Sequence, residues 1–308
     1  MSGNSSVVQK TKLALGTVQF GLPYGVTNTA GQVQPETVAA ILARAASHGI
    51  DLLDTASLYG SSEAVLGEAT RLAGGFRIVT KTAKFGDVSP GDRSAVSARF
   101  DATLAGSLAR LRTPSVDGLL AHDVNDLLGA NGEHLWEKMQ TAKSRGLVAR
   151  VGASIYTGDE IDRLLERFRP DIVQVPINIL DQRLVRGGQL DKLAQAGIEI
   201  HARSIFLQGL ILQDPAALHP KFGVLADSLS GIRGAAASAG LTVLEAALAG
   251  VAASGRISHM VVGVTSVGEL EEIASATNAL AKRAVVPDLT GWGCEDERLL
   301  NPARWNEL

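Results

Sequence analysis

The chain of 308 residues carries 29 Lys and Arg against 32 Asp and Glu, a net charge of −3, with 45% apolar and 20% charged residues. That ordinary globular balance excludes disorder, collagen and coiled coil, and it offers no basic footprint for nucleic acid. Apolar runs fall short of the ~18 residues of a membrane span, and the N-terminal segment lacks the apolar stretch of a signal peptide. The expectation is therefore a cytoplasmic protein without membrane partners. A lone cysteine, Cys294, excludes an internal disulfide and leaves too few thiols for a zinc cluster.

In chain order, β-like runs are predicted at Leu13–Val18, Ile50–Leu53, Ile78–Thr80, Val116–Leu120, Val148–Gly152, Ile172–Val175, Glu199–Ala202 and His259–Val264. Helical spacing fills the intervals at Pro35–Ser47, Ser62–Leu72, Arg93–Leu111, Leu135–Ser144, Asp159–Phe168, Leu190–Ala196, Val243–Ala253 and Gly268–Leu280. Strands that alternate with helices in this number favour an α/β fold of the closed (β/α)8 TIM barrel type over an open sheet. Gly49, Gly146 and Gly197 stand where left-handed C-caps are wanted, and Thr157 with Glu160 has capping-box spacing. The period breaks after the seventh strand, at residues 203–226 followed by a helical stretch Ser228–Ala239, and again in the tail 284–308. Both interruptions are expected at the barrel mouth. With no repeat and no linker, residues 1–308 read as a single domain.

The chemistry lies where strands stop. Asp54 and Tyr59 follow the second strand, Lys81 the third and His122 the fourth. A phenol titrates near pH ~10, too high for efficient acid–base work near neutrality. A neighbouring ammonium lowers that value, an aspartate holds the ammonium in place, and a histidine can orient a substrate oxygen. Such a group can protonate a carbonyl oxygen while hydride arrives from elsewhere.

Here the sequence resembles the aldo-keto reductases, over Leu13 to Leu280. The resemblance is carried by Asp54-Thr-Ala-x-x-Tyr59-Gly60 with Glu63, by Lys81, by Leu119-Leu-Ala-His122, and by Gly152-Ala-Ser154. Asp171-Ile-Val-Gln174 with Asn178, and Gln208-Gly-Leu210, complete it. It implies a catalytic set of Asp54, Tyr59, Lys81 and His122, with Tyr59 the general acid. Ser154 and Gln174 match residues that hold a nicotinamide carboxamide, and Ser204 and Phe206 lie in the stretch that lines the pyrophosphate. Gly263, Thr265 and Glu269 match the adenosine end. The sequence departs from better-known members at Arg203, where an aromatic side chain commonly stacks on the nicotinamide, and at Ile155. It departs again at Val18, Ala83 and Asp123, where tryptophans often line the substrate pocket. Those replacements point to a polar, sugar-like substrate. Tyr24 and Asn28 on the first loop, Asp123 and Trp292 are candidate substrate contacts. The alternative is a cofactor-binding regulatory subunit of the same fold without catalysis.

The resemblance also implies NAD(H) or NADP(H), more often the latter. Yet residues 262–272 contain no lysine or arginine, and Glu269 replaces an arginine that usually clamps the 2′-phosphate. The balance tips slightly to NAD(H), unless a tail cation such as Arg298 supplies the charge; acids that merely cap the helix are the plainer reading of that stretch. The remaining histidines have plain readings. His48 suits a helix C-terminus, His134 and His219 the surface, and His201 and His259 a hydrogen-bonded core. No pair has metal-ligand spacing, so no metal is expected. Trp292 and Trp305 read first as packing anchors for the tail, Trp292 being the better candidate for the pocket, and Cys294 reads as a spectator thiol, while Gln182, Arg183 and Arg186 read as a solvated loop.

Overall fold

A computed structural model describes residues 11–281 and 288–308, with the backbone alone at 71–73. Strands β1 (Lys12–Gly16), β2 (Leu52–Asp54), β3 (Arg77–Lys81), β4 (Val116–Ala121), β5 (Val148–Ser154), β6 (Ile172–Pro176), β7 (Glu199–Arg203) and β8 (His259–Gly263) pair in parallel. β8 returns to β1, so the sheet is a closed barrel. Around it run α1 (Pro35–Ser47), α2 (Ser62–Ala73), α3 (Arg93–Leu111), α4 (Gly132–Ser144), α5 (Gly158–Arg167), α6 (Gln189–Gln195), α7 (Val243–Ala252) and α8 (Val267–Leu280). The Thr157–Glu160 capping box is present at the head of α5. The first strand stops earlier than its apolar run: Val18–Gly21 is a short helix. The buried Thr17 hydroxyl donates to the Asp54 carbonyl and turns the chain there.

Side chains alternate between two cores, as the two-residue period of a strand requires. Leu13 and Leu15, Val173 and Val175, and Met260 and Val262 face outward into the cluster shared with the helices. Ala14, Leu52, Val79, Leu120, Ile172 and Val261, one from each of six strands, form a separate plug inside the barrel. Two residues on from each of four plug members stand Asp54, Lys81, His122 and Gln174. The same parity that fills the barrel therefore aims those four side chains into its mouth.

The predicted excursion after β7 is real and has its own core. Residues 210–225 run through three short 3₁₀ turns into a helix at Ala226–Ser238. Phe222, Leu229, Leu289 and Trp305 bury there with Ile179 and Leu180 from beyond β6. The loop after β6 is not simply solvated. Gln182 donates to the Leu289 carbonyl at 3.0 Å, Arg183 pairs with Glu297 at 3.1 Å, and Arg186 pairs with Glu295 at 2.6 Å. These side chains fasten the tail across the barrel, and its Pro302 and Ala303 reach the mouth.

The opposite end of the barrel is closed by charge. Arg150 bridges Asp117 and Glu199, and Arg77 pairs with Asp51 at 3.2 Å. The strand register sets His201 beside His259. His201 Nε2 lies 2.8 Å from Glu199 Oε1, and His259 Nδ1 lies 3.1 Å from the same oxygen. Sequence spacing hides this cluster, in which three metal-capable donors fall within 4.8 Å of one another. Arginines already engage two of its members, since Arg150 meets Glu199 and the Arg77 guanidinium lies 3.3 Å from His259 Nε2. We read it as a barrel-closing ionic network.

Burial pushes the Glu199 carboxyl up, but bonds to His201 and His259 and the Arg150 charge hold it well below the usual carboxylate range. Burial likewise depresses His201. Both groups are depressed in the folded state, so both stabilise it above their ordinary values and lose that contribution as pH falls. Glu199→Ala should lower the unfolding free energy by about 3 kcal/mol near neutrality, leaving Arg150 with Asp117 alone and His201 and His259 without their shared acceptor. The deficit should shrink as pH drops through the carboxylate range. Urea unfolding of both proteins at two pH values measures it, and equal stability at pH 7 would remove the network's role.

Candidate active site

Lys81 and Asp54 are only 1% and 4% exposed. Lys81 Nζ donates to both Asp54 oxygens at 2.8 Å and to the Thr55 carbonyl at 3.0 Å. It also lies within hydrogen-bonding reach of the Tyr59 hydroxyl, and its charge stands 5.0 Å from the centroid of the Tyr59 ring. His122 meets the same ring edge-on, with centroids 5.9 Å apart. The turn that carries Tyr59 is set by close backbone contact with the helix Val18–Gly21. A side chain on Gly21 would fall 1.8 Å from the Tyr59 carbonyl, and one on Gly60, at φ 55°, would fall 2.3 Å from the Gly21 carbonyl. The DTAxxYG motif thus needs its glycine sterically.

Burial raises the Tyr59 phenol above its ordinary value, and the Lys81 charge draws it back only in part. The effect of the ammonium is legible in the sequence and that of burial is not. At neutral pH the phenol keeps its proton. His122 is pushed down to about 4 by burial and by the Lys81 and Lys84 charges, so its imidazole is neutral. Its Nδ1 is buried without a partner.

These groups open onto a cavity of about 960 Å³. Ser154, Gln174, Arg203, Ser204, Phe206, Gly263, Thr265, Glu269 and Tyr24 all line it. Gln174 Nε2 donates to Asp54 Oδ1 at 2.7 Å, which ties the β6 end to the ion pair. Beyond β7 the backbone is left-handed at Ser204, Leu207 and Gln208, with φ of 61°, 46° and 55°. Non-glycine residues hold such angles only where their surroundings enforce them. Gln208 is held across the mouth: its side chain accepts from Val26 N at 3.1 Å and donates to the Tyr24 hydroxyl at 3.0 Å. The Gln208 carbonyl accepts from Thr27 at 3.0 Å.

At the far end, Glu269 takes the Thr265 N–H at 2.7 Å and the Thr265 hydroxyl at 2.9 Å, capping its own helix. Glu272 lines the cavity beside it, whereas Glu271 turns away to Arg44 and His48. Among the described residues, Lys81 and Arg203 are the lysine and arginine side chains on the cavity wall. Arg298 does not reach it; it pairs with Asp296 at 2.6 Å beside a second, smaller pocket.

Two expected substrate contacts are corrected. Asp123 is absent from the cavity wall, because its Oδ1 accepts from both the backbone and the side chain of Asn125 at 3.0 Å. Trp292 lies outside it as well, seated against Gly231 of the helix Ala226–Ser238, where any side chain would overlap its ring. Asn28 lines the cavity, but its amide is occupied in folding its own loop. Among the lining residues, Gln19, whose Oε1 is buried without a partner, and Tyr156 are picked out by no motif, and Gln208, named in the Gln208-Gly-Leu210 motif, has a clasping side chain that the motif does not announce. Tyr156 carries the Arg203 guanidinium on its ring at 4.2 Å. Only the position of Tyr156, just past a strand end, could have flagged it.

Comparison with known proteins agrees with this geometry. The family model described as the aldo/keto reductase family matches residues 12–290. L-galactose dehydrogenase of Arabidopsis thaliana is 25% identical over 96% of this chain and 93% of its own. An aldo-keto reductase of Bacillus halodurans, solved in its holo form, superposes with a TM-score of 0.68 at 19% identity, over 91% of this chain and 94% of that one. A Pseudomonas aeruginosa structure described as a putative aldo-keto reductase gives 0.63 at 23% identity, over 88% and 91%. From the barrel, the strand-end residues and the family match together, the chain belongs to the aldo/keto reductase family.

Proposed function

We propose that the protein is an NAD(H)-dependent oxidoreductase that interconverts a polar, sugar-like carbonyl and its alcohol. The observation that carries this is the Lys81 ammonium, bonded to both Asp54 oxygens and standing against the Tyr59 ring, with neutral His122 at the ring's edge. The cavity suits a dinucleotide in size and in its unpartnered buried atoms, His122 Nδ1 and Gln19 Oε1. Ser154 and the Gln174 oxygen would hold the carboxamide, the Ser204–Gly209 turn the pyrophosphate, and Gly263, Thr265 and Glu269 the adenosine end. When bound, a nicotinamide supplies or accepts hydride.

The chain's own residues handle the proton. Tyr59 donates its phenolic proton to the carbonyl oxygen in reduction and takes a proton from the hydroxyl in oxidation. Lys81 stabilises the phenolate left behind, and Asp54 keeps Lys81 charged and fixed. His122, uncharged, orients the substrate oxygen without competing for the proton. Tyr24, Gln208 and Thr27 give the mouth hydroxyl and amide groups suited to a polyhydroxylated substrate. The relative named L-galactose dehydrogenase supports a sugar as substrate class.

Tyr59→Phe should abolish turnover, with dinucleotide binding kept near the wild-type level in a fluorescence titration. Binding by the wild type without turnover of any aldose or aldehyde would favour the regulatory alternative. Because the phenol is raised, reduction should hold steady through neutral pH and fall only as pH climbs past about 10, while oxidation should rise with pH. A flat oxidation profile would contradict Tyr59 as the base. With acids and no lysine or arginine at the adenosine end among the described residues, kcat/KM should favour NAD(H) over NADP(H) by at least about tenfold, ~1.4 kcal/mol. A preference for NADP(H) would reverse that assignment.

A further inference from the structure

Arg203 closes β7 on the inward face, where Pro176 of β6 is its register partner and Ser154 pairs with Gln174 one strand over. Its guanidinium lies on the Tyr156 ring at 4.2 Å, donates to the Ile155 carbonyl at 3.2 Å and reaches the Ser204 hydroxyl at 3.4 Å. All of these partners are uncharged, and no carboxylate pairs with it among the described residues. The neighbouring Lys81 charge is matched by Asp54. Among the described residues this end of the cavity therefore keeps one uncompensated positive charge, and three contacts hold Arg203 there. That charge is felt at Tyr59, Tyr24 and His122, whose phenols and imidazole it favours in their deprotonated forms.

We propose that Arg203 sets the oxidation state the pocket prefers, by placing an unpaired guanidinium where it disfavours the cationic oxidised nicotinamide relative to the neutral reduced ring. The inference rests on the reading above, that the cavity takes a nicotinamide dinucleotide with its ring at the Tyr59 end. The oxidised ring carries a formal positive charge and the reduced ring none, so a fixed cation at short range repels only the former. By linkage, the ratio of the two affinities equals the shift in the bound redox equilibrium. Such a bias would lean towards substrate oxidation, in which the deprotonated Tyr59 oxygen takes the hydroxyl proton and a bound nicotinamide would accept the hydride; the protonated Tyr59 of neutral pH works in the opposite direction.

Calorimetric titration with NAD+ and NADH separately, at equilibrium and without substrate, tests this on wild type, Arg203→Gln and Arg203→Lys. Wild type should bind NADH more tightly than NAD+. Arg203→Gln should reduce the ratio of the two dissociation constants by about tenfold. Arg203→Lys, which keeps the charge, should retain most of the wild-type ratio and guards against a mere packing defect. Equal weakening of both oxidation states in Arg203→Gln would mean that the guanidinium meets the phosphates instead, and would overturn the proposal. An unchanged ratio would overturn it too. If wild type binds neither NAD(H) nor NADP(H), the cofactor reading itself fails, and the inference with it.

Discussion

The buried ion pair of Lys81 and Asp54 is the contact on which the mouth of this barrel depends. Two ions removed from water cost several kcal/mol each unless their remaining valences are met. Here they are met: the ammonium has three acceptors, and the carboxylate also takes the Gln174 amide. The pair thereby links β2, β3 and β6. It also holds the ammonium beside Tyr59, where it acts on the phenol mainly as a nearby charge and to a smaller degree by hydrogen bonding. Opposed by burial, that charge leaves the phenol above its ordinary value and protonated at neutral pH.

The barrel was legible because the chain repeats one unit. Each strand is short, apolar and followed by a helix, and the strand ends carry the chemistry in a two-residue register with the plug. Ala14, Leu52, Val79, Leu120, Ile172 and Val261 sit in the interior while Asp54, Lys81, His122 and Gln174 follow at the same parity. Strand bounds moved by a residue or two where side-chain bonds intervened, as Thr17 does after β1. Asp54, Tyr59, Lys81 and His122 could be placed together because each follows or ends a strand.

Contacts made between loops were not legible in the same way. Asp123 follows His122 and looked like a pocket residue, yet an aspartate two residues before an asparagine finds a local backbone partner first. Trp292 is drawn into an apolar cluster that the sequence does not announce, since its members come from β6 onward and from the tail. The histidines at the barrel floor are 58 positions apart in sequence and side by side in space, a consequence of β7–β8 register. Arg203 was recognised as an oddity, but only the neighbouring Tyr156 shows how a cation is kept there.

The fastening of the tail to the loop after β6 bears on the order in which the molecule is built. Every strand lies between residues 12 and 263, so the β8–β1 pairing that closes the barrel has all its residues before the tail is synthesised. Gln182 and Arg183, by contrast, wait for partners 107 and 114 residues further along. The sheet can therefore close before its rim: until the tail follows, Leu289, Leu299 and Trp305 are missing from the cluster around Ile179, Leu180 and Phe222, and the cavity lacks the wall that Pro302 and Ala303 supply.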